Sequence, residues 1–393
     1  MRSDEGGDGR WMGVGRSDAV DSAAAGVEAA TAAICGREAS LVLVFSSVAH
    51  DLQAVLAGIN KVSGHSPLIG CSSNGEIGVD GPRDASVIVA AIGGPGFSVA
   101  TVGAADVAGR QREAGAELAG CVSEVEERPF RVLVLLTDGL VPDQEEILRG
   151  VYGVVGASVP VFGGAAAEPW AMDRTWQFHG DEVLSGGAVG AVIASDAPFG
   201  VGIGHGWRKV GEPMIVTSAA NGEVYTLDDR PALDVYLSRF GAPAELAADQ
   251  RAVSEFAIPR PIGIQRRRGE EVRNLSTGID IERRSFRPGG DIHQGGLVWA
   301  MAGDDGSILG AVDKACDAAL GALGGRPPLG LLTFSCAALR AVIGDDGIRR
   351  EGVRLAQRAS AAPFAGFYTY GEIARVRGGD GFHNQTLVVL AIG

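Results

Sequence analysis

With 393 residues, 46% of them hydrophobic, the chain is long enough to bury one large core or two smaller ones. Its 34 basic against 48 acidic side chains leave a net charge of −14, which repels phosphate backbones and anionic lipid and argues against nucleic acid or a membrane surface as a partner. No apolar run approaches the ~20 residues of a spanning helix, and the 5 scattered cysteines contain no C-x-x-C pair, so a cytoplasmic protein with reduced thiols is expected.

Residues 1–10, M-R-S-D-E-G-G-D-G-R, are acidic and glycine-rich without an apolar stretch, and are expected to form a disordered tail rather than a signal or transit peptide. The first ordered elements read as a buried strand, L-V-L-V-F-S-S from Leu41, and a helix whose Leu52, Val55, Leu56 and Ile59 make one apolar stripe. The chain returns through P-L-I-G-C from Pro67, proline being tolerated at a strand's first residue, and then through S-V-I-V-A-A-I-G from Ser86. The same order recurs in V-L-V-L-L-T-D from Val132, the stripe Ile147, Leu148, Val151 and Val155, P-V-F-G-G from Pro160, and G-A-V-G-A-V-I-A from Gly187.

The texture then changes. G-W-R-K-V-G-E-P-M-I-V-T from Gly206 and G-E-V-Y-T-L from Gly222 read as strands, a helix opens at Pro231, and Ile258 to Ala302 reads as short strands separated by Gly, Pro and Asp, an antiparallel patch. Arg266, Arg267, Arg268, Arg283 and Arg284 alternate with Glu270, Glu271 and Glu282, a solvated surface rather than an anion site. Val312, Cys316, Ala319, Leu320 and Leu323 mark an amphipathic helix with Cys316 in the core. A third copy of the unit follows: L-G-L-L-T-F-S-C from Leu329, the stripe Leu339, Val342 and Ile343, P-F-A-G-F from Pro363, and T-L-V-V-L-A-I-G from Thr386.

The expected fold is therefore α/β: duplicated strand-helix-strand-strand units forming mixed sheets, in two domains with an antiparallel patch in the second. The division falls at 222/223, so that 11–222 carries two units and 223–393 the third. The first and third units also share G-x-x-x-x-G-E-I, from Gly70 to Gly75-Glu76-Ile77 and from Gly366 to Gly371-Glu372-Ile373.

These segments, together with H-G-W-R-K-V-G, V-Y-x-L-D-x-x-P-A-L and G-F-Y-T-Y-G-E-I followed by F-H-N-Q-T-L, resemble the paired FIST N and FIST C domains. The resemblance covers nearly the whole chain after the first ten residues, with the motifs in family order; in C-A-A-L-R at 336–340, Leu339 separates Arg340 from the position where the family's arginine usually follows the cysteine. It implies a sensory module that binds a small ligand, an amino acid or related metabolite, and passes its signal to a partner protein.

The loop Cys71, Ser72, Ser73, Asn74, Gly75, Glu76 reads in two ways: as backbone N–H groups that hold a carboxylate or phosphate, or as a tight turn whose side chains satisfy backbone groups. Glu76 and Glu372 either share a cleft, binding an ammonium or acting as acid and base, or each accepts hydrogen bonds within its own loop. Cys71 and Cys336 at strand ends are candidate nucleophiles, with no histidine near them in sequence and only His50, His205 or His383 left to approach in space. Tyr368 and Tyr370, alternating about Thr369, are expected on one side of a strand. Asn384 and Thr386 either meet a ligand or pin the adjacent turn.

The expected ligand-binding set is the Cys71–Glu76 loop with Tyr368, Tyr370, Gly371, Glu372 and Asn384, around a pocket where the two G-E-I loops converge. Trp207 reads as packing and Asp138 as a cap or turn residue. The 6 histidines lack metal-ligand spacing, Asp228-Asp229 lacks an EF-hand pattern, and neither G-V-G at Gly13 nor G-I-G-H-G at Gly202 completes a dinucleotide fingerprint, so no metal or cofactor is expected. Two other classes stay open: an enzyme acting on an amino-acid-derived substrate through Glu76, Glu372 and a cysteine, and a non-catalytic assembly protein.

Overall fold

A computed structural model describes residues 9–266, 270–375 and 381–393; residues 1–8 of the expected tail, and Arg267 and Arg268 of the basic cluster, lie outside the described residues. Arg10, which the sequence places in the tail, is anchored by a hydrogen bond from Nη2 to Ser195 Oγ at 2.6 Å.

The first unit contains β1 (Trp11–Ser17), α1 (Ser22–Ile34), β2 (Ala39–Ser46), α2 (Leu52–Ser63), β3 (Leu68–Ser72), the short hairpin β4 (Glu76–Gly78) and β5 (Gly81–Arg83), and β6 (Val87–Gly93). The second repeats this order as β7 (Phe97–Ala104), α3 (Gln111–Gly120), β8 (Phe130–Thr137), α4 (Gln144–Val155), β9 (Val161–Ala165), β10 (Gln177–His179), β11 (Glu182–Leu184) and β12 (Ala188–Ser195). The helices begin where local chemistry satisfies their free N–H groups: Asp21 accepts from Ala24 N at 2.7 Å and Asp51 from Ala54 N at 3.1 Å. A Cβ at Gly26 or Gly58 would collide with the facing helix backbone, and so would one at Gly115 or Gly150, so both helix pairs pack through reciprocal glycines.

The third unit opens with β13 (Phe199–Gly204) and is then interrupted. The insert comprises β14 (Arg208–Ala220), β15 (Glu223–Leu227), β16 (Arg230–Pro231), α5 (Ala232–Arg239), α6 (Gln250–Ala257), β17 (Ile262–Gln265), β18 (Glu270–Arg273), β19 (Ile279–Asp280), β20 (Ser285–Phe286) and β21 (Leu297–Ala302). Its strands pair antiparallel in one 8-stranded sheet, the patch expected from the sequence, over a separate core that includes Met214, Leu233, Tyr236 and Phe286. Gly222 lies at the turn between β14 and β15, and Glu223 opens β15. The unit resumes with α7 (Asp305–Gly321), β22 (Gly330–Cys336), α8 (Ala337–Ala359, broken at Gly344), β23 (Phe364–Thr369), β24 (Glu372–Ala374), β25 (Phe382–His383) and β26 (Leu387–Ile392). Cys316 on α7 is buried.

The three 6-stranded sheets have one topology: β1-β6-β2-β3 followed by β10-β11, β7-β12-β8-β9 followed by β24-β25, and β13-β26-β22-β23 followed by β4-β5. Every unit thus gives its hairpin to another unit's sheet, and the exchange closes into a ring with approximate threefold symmetry. Central strands β2, β8 and β22 read as continuous apolar runs because helices cover one face and the other two sheets cover the other. On the axis Phe45 and Phe367 stack at 4.6 Å, and Phe334 meets Phe367 and Phe162 at 4.7 Å each. An alanine at such a buried phenylalanine costs about 3–5 kcal/mol.

Candidate functional site

At the ends of β3, β9 and β23 the chain crosses into the exchanged hairpins, and one backbone hydrogen bond repeats around the axis: Asn74 N to Tyr368 O at 3.0 Å, Tyr370 N to Ala165 O at 3.2 Å, and Ala167 N to Ser72 O at 3.0 Å. The two G-E-I loops therefore adjoin. By ladder register, Glu76 opposite Phe367, Gln177 opposite Cys71 and Glu372 opposite Gly164 hold equivalent places.

All three side chains are fully buried. Glu76 accepts from Ser73 Oγ, from Ser86 N at 3.1 Å and from Ser86 Oγ at 2.6 Å. Glu372 Oε2 accepts from Thr386 N at 3.1 Å and Thr386 Oγ1 at 2.6 Å. Gln177 Oε1 accepts from Gly187 N at 3.1 Å. The shared task is to tie the first residue of a hairpin to the residue just before the closing strand. Burial pushes the Glu76 carboxyl up to about 7, against the hydrogen bonds of Ser73 and Ser86. Burial also raises Glu372, opposed by Thr386 and by the Cys336 thiol, while burial and then Glu372 raise Cys336.

Two seams between units differ sharply. Where the third unit meets the first, Arg340 hydrogen-bonds Asn74 O and pairs with Asp84 at 2.7 Å, its guanidinium 5.3 Å from the Tyr368 ring. Cys336 N bonds Thr386 O as Asp138 N bonds Gly187 O, so Pro142, four residues after Asp138, is the counterpart of Arg340 by position in the chain, in the loop before α4 where Arg340 lies on α8. Asn384, two residues before Thr386, likewise replaces Asp84. At this second seam Pro142 and Asn384 form no ion pair, and a cavity of about 380 Å³ opens, bordered by both.

The remaining walls come from Cys336 and Tyr370, from Trp170 on the 165–177 loop, and from the insert at Asn274, Arg287 and Asp291. The corresponding loops run only from 72 to 76 and from 368 to 372, so the second unit's extra residues build one wall. Glu168 Oε2 accepts from Ala171 N at 2.7 Å and Oε1 from Tyr370 Oη at 2.7 Å, and the Trp170 and Tyr370 rings are 5.9 Å apart. Asp143, Trp170 and Met172, all lining the cavity, have φ of 55°, 63° and 53°. Such left-handed non-glycine residues store strain and gather at functional sites. The insert is locked on by Arg273, fully buried, whose Nη2 reaches Glu145 at 3.2 Å and Glu271 at 3.0 Å.

Of the residues expected to bind ligand, Tyr370 and Asn384 line the cavity, as does the candidate nucleophile Cys336. Cys71, Ser72, Ser73, Asn74, Gly75 and Glu76 are buried and are not among its lining residues; nor are Tyr368, Gly371 and Glu372. Asn74 Nδ2 instead donates to Glu168 O at 2.7 Å. Tyr368 and Tyr370 do not form one wall: β23 ends at Thr369, so Tyr370 leaves the strand's register for Glu168 while the Tyr368 hydroxyl stays on Glu351 at 2.8 Å. Trp207 is buried, with Nε1 donating to Gln385 O at 3.2 Å, and Asp138 caps Leu140 N at 2.8 Å. Trp170, Met172 and the insert residues carried no motif; the turn-rich A-E-P-W-A-M-D and P-G-G-D segments were their only signal.

A family model described as the FIST N domain matches residues 40–230 and one described as the FIST C domain matches 232–375. An uncharacterized protein of Methanocaldococcus jannaschii is 23% identical over 289 residues, 68% of this chain and 55% of that protein, so the chain spans about half the length of this relative. A crystal structure of cyanuric acid hydrolase from A. caulinodans aligns with 48% of this chain and 72% of its own at 12% identity and a TM-score of 0.28, too low to carry an argument. Among the described residues no helix is long and apolar enough to cross a membrane.

Proposed function

The chain belongs to the FIST family, whose domains are associated with sensory signal transduction, and from that premise we propose that it is a cytoplasmic sensor whose ligand, an amino acid or a similar small metabolite, occupies the cavity between the second unit, the third unit and the insert. The observation that carries this reading is the cavity's lining at a seam that an arginine closes elsewhere in the molecule. About 380 Å³ walled by Trp170, Tyr370 and Phe382 together with polar and charged side chains suits a small polar ligand. Arg287 lines the insert side along with the carboxylates Asp143, Glu145 and Asp291, of which Asp291 is also paired with Arg149, and Asn274 and Asn384 offer both donors and acceptors, a mixed lining that supports a zwitterionic ligand. Because one wall belongs to the insert, a ligand that bridges the walls favours one insert position over others, and a partner protein that reads this position receives the signal.

The test is a thermal-shift screen against amino acids and related metabolites, with calorimetry on any hit, since selective binding stabilises the folded state. The control is a double variant, Pro142→Arg with Asn384→Asp, which transplants the arginine clasp into the open seam. A saturable hit that weakens at least tenfold in the double variant supports the proposal. A panel that never shifts the wild type, or hits that bind the closed-seam variant unchanged, overturns it.

A further inference from the structure

The charged side chains that line the cavity, Asp143, Glu145, Arg287 and Asp291, are not equally engaged. Glu145 accepts from Arg273 Nη2 at 3.2 Å and from Asp291 N at 2.9 Å, and the Asp291 carboxylate pairs with Arg149 at 2.8 Å. Arg287 gives Nη1 to Asn221 O at 2.6 Å, yet its side chain is still 48% exposed and carries further donors. Asp143 is uncommitted: its carboxylate makes no hydrogen bond or ion pair among the described residues. It is the N-cap of α4, the place at which Asp51 of α2, in extended backbone with φ −69°, accepts from Ala54 N at 3.1 Å. Asp143 instead has φ 55° and ψ 45°, and its side chain gives up the cap that an aspartate here normally makes. Asp143 Oδ1 lies 3.9 Å from the point that a Cβ on Gly222 would occupy, and Arg287 Nη1 lies 3.2 Å from that same point. Opposite charges, one on the second unit and one on the insert, thus flank the open side of a glycine without forming an ion pair with each other among the described residues. Such a gap is complementary to a ligand that carries both charges.

We propose that Asp143 is the specificity-determining residue of the cavity: it binds the ligand's ammonium group while Arg287 binds the same ligand's carboxylate, with the headgroup lying over Gly222. Trp170 and Tyr370, their rings 5.9 Å apart, are left to meet the ligand's apolar part. The assignment rests on the cavity being the ligand site and adds which charge each wall reads. It also gives the signal a physical basis, because only a compound carrying both charges ties the second unit to the insert, whereas an amine or an acid alone engages one wall.

The test is calorimetry on the full chain with the standard protein amino acids and, for every binder, the matching acid without its amine and the matching amine without its carboxylate. At least one amino acid is expected to bind saturably, and loss of either charge is expected to weaken binding about tenfold or more, as for other charge-assisted hydrogen bonds. Asp143→Asn is expected to weaken the amino acid by the same factor and to leave its desamino acid unchanged; Arg287→Gln is expected to do the reverse, sparing the amine. Asparagine tolerates φ 55° as aspartate does, and no cap is lost, so Asp143→Asn should keep the wild-type melting temperature, which separates lost recognition from lost structure. Wild-type affinity for the amino acid in folded Asp143→Asn, or equal affinity of the wild type for the desamino acid, overturns the proposal. A wild type that binds only compounds without an ammonium group overturns it too; if the double variant Pro142→Arg with Asn384→Asp blocks those compounds, the cavity reading stands and only the assignment to Asp143 falls. If no compound of either kind binds the wild type, both fall together.

Discussion

The seam between the third and first units and the seam between the second and third have the same strands, the same hairpin exchange and the same axial hydrogen bond, yet one is closed and the other hollow. The closed seam holds Arg340 against Asp84; the open one has Pro142 and Asn384 in those places, a wall lengthened by the 165–177 loop, and the insert as a cover. A repeated fold supplies the frame three times over, and a few side chains decide which copy of the gap is available to a ligand. Function here lies in departures from the repeat.

The strongest way to break the contrast is to remove the insert's anchor. Arg273→Ala leaves Glu145 and Glu271 as buried carboxylates whose shared cation is gone, a loss that typically costs about 3–5 kcal/mol. Urea unfolding should show that loss, and limited proteolysis should show the insert cut first while the three-unit ring persists. A stability within 1 kcal/mol of wild type, on the same order as an exposed ion pair, would mean that the insert is held by other contacts.

Glu76 tests the comparison at the level of the hairpin anchors, where two units use a carboxyl and one an amide. Its folded value of about 7 stands above the ordinary 4.5, so between these two pH values the folded protein keeps a proton that the unfolded chain releases. Stability from this group is therefore complete below 4.5, falls as pH rises, and is fully lost above 7, by about 3 kcal/mol. Glu76→Gln copies the Gln177 solution and should flatten that fall, leaving the variant more stable than wild type at pH 8. Parallel denaturation curves for the two proteins from pH 5 to 8 would show the anchor to be insensitive to its charge.

Much of this architecture is legible in the chain. Strands β2, β8 and β22 announce themselves as unbroken apolar runs, and Pro67, Pro160 and Pro363 mark the returning strands. The opening strand and helix of the first two units are not legible, unlike α7 of the third: S-A-A-A-G-V-E-A-A-T-A-A-I in α1 packs through small residues, so it has little apolar-to-polar contrast to read. The hairpins are too short for a period of two to show. Gln177 was hidden twice, by the longer loop before it and by being an amide where its counterparts are acids. The G-E-I glutamates were found and the fold uses them as anchors, whereas most of the cavity wall comes from the 165–177 loop and the insert, segments far apart in sequence, which local pattern cannot join.

Arg340 gives the smallest effect and separates clasp from charge. Asp84 is 69% exposed, so the ion pair itself contributes little after solvent screening. Its other contacts are better sheltered: the carbonyl of Asn74 is buried in the axial loop, and the guanidinium covers the Tyr368 ring. Arg340→Ala should then cost about 1–2 kcal/mol, mostly from the unsatisfied carbonyl, and the loss should barely change between low and high salt. Affinity at the open seam should stay as in wild type, because none of the cavity's walls includes Arg340. A cost that vanishes in high salt would make the clasp electrostatic, and the hollow at the second seam would then follow from the insert and the long loop rather than from a missing arginine.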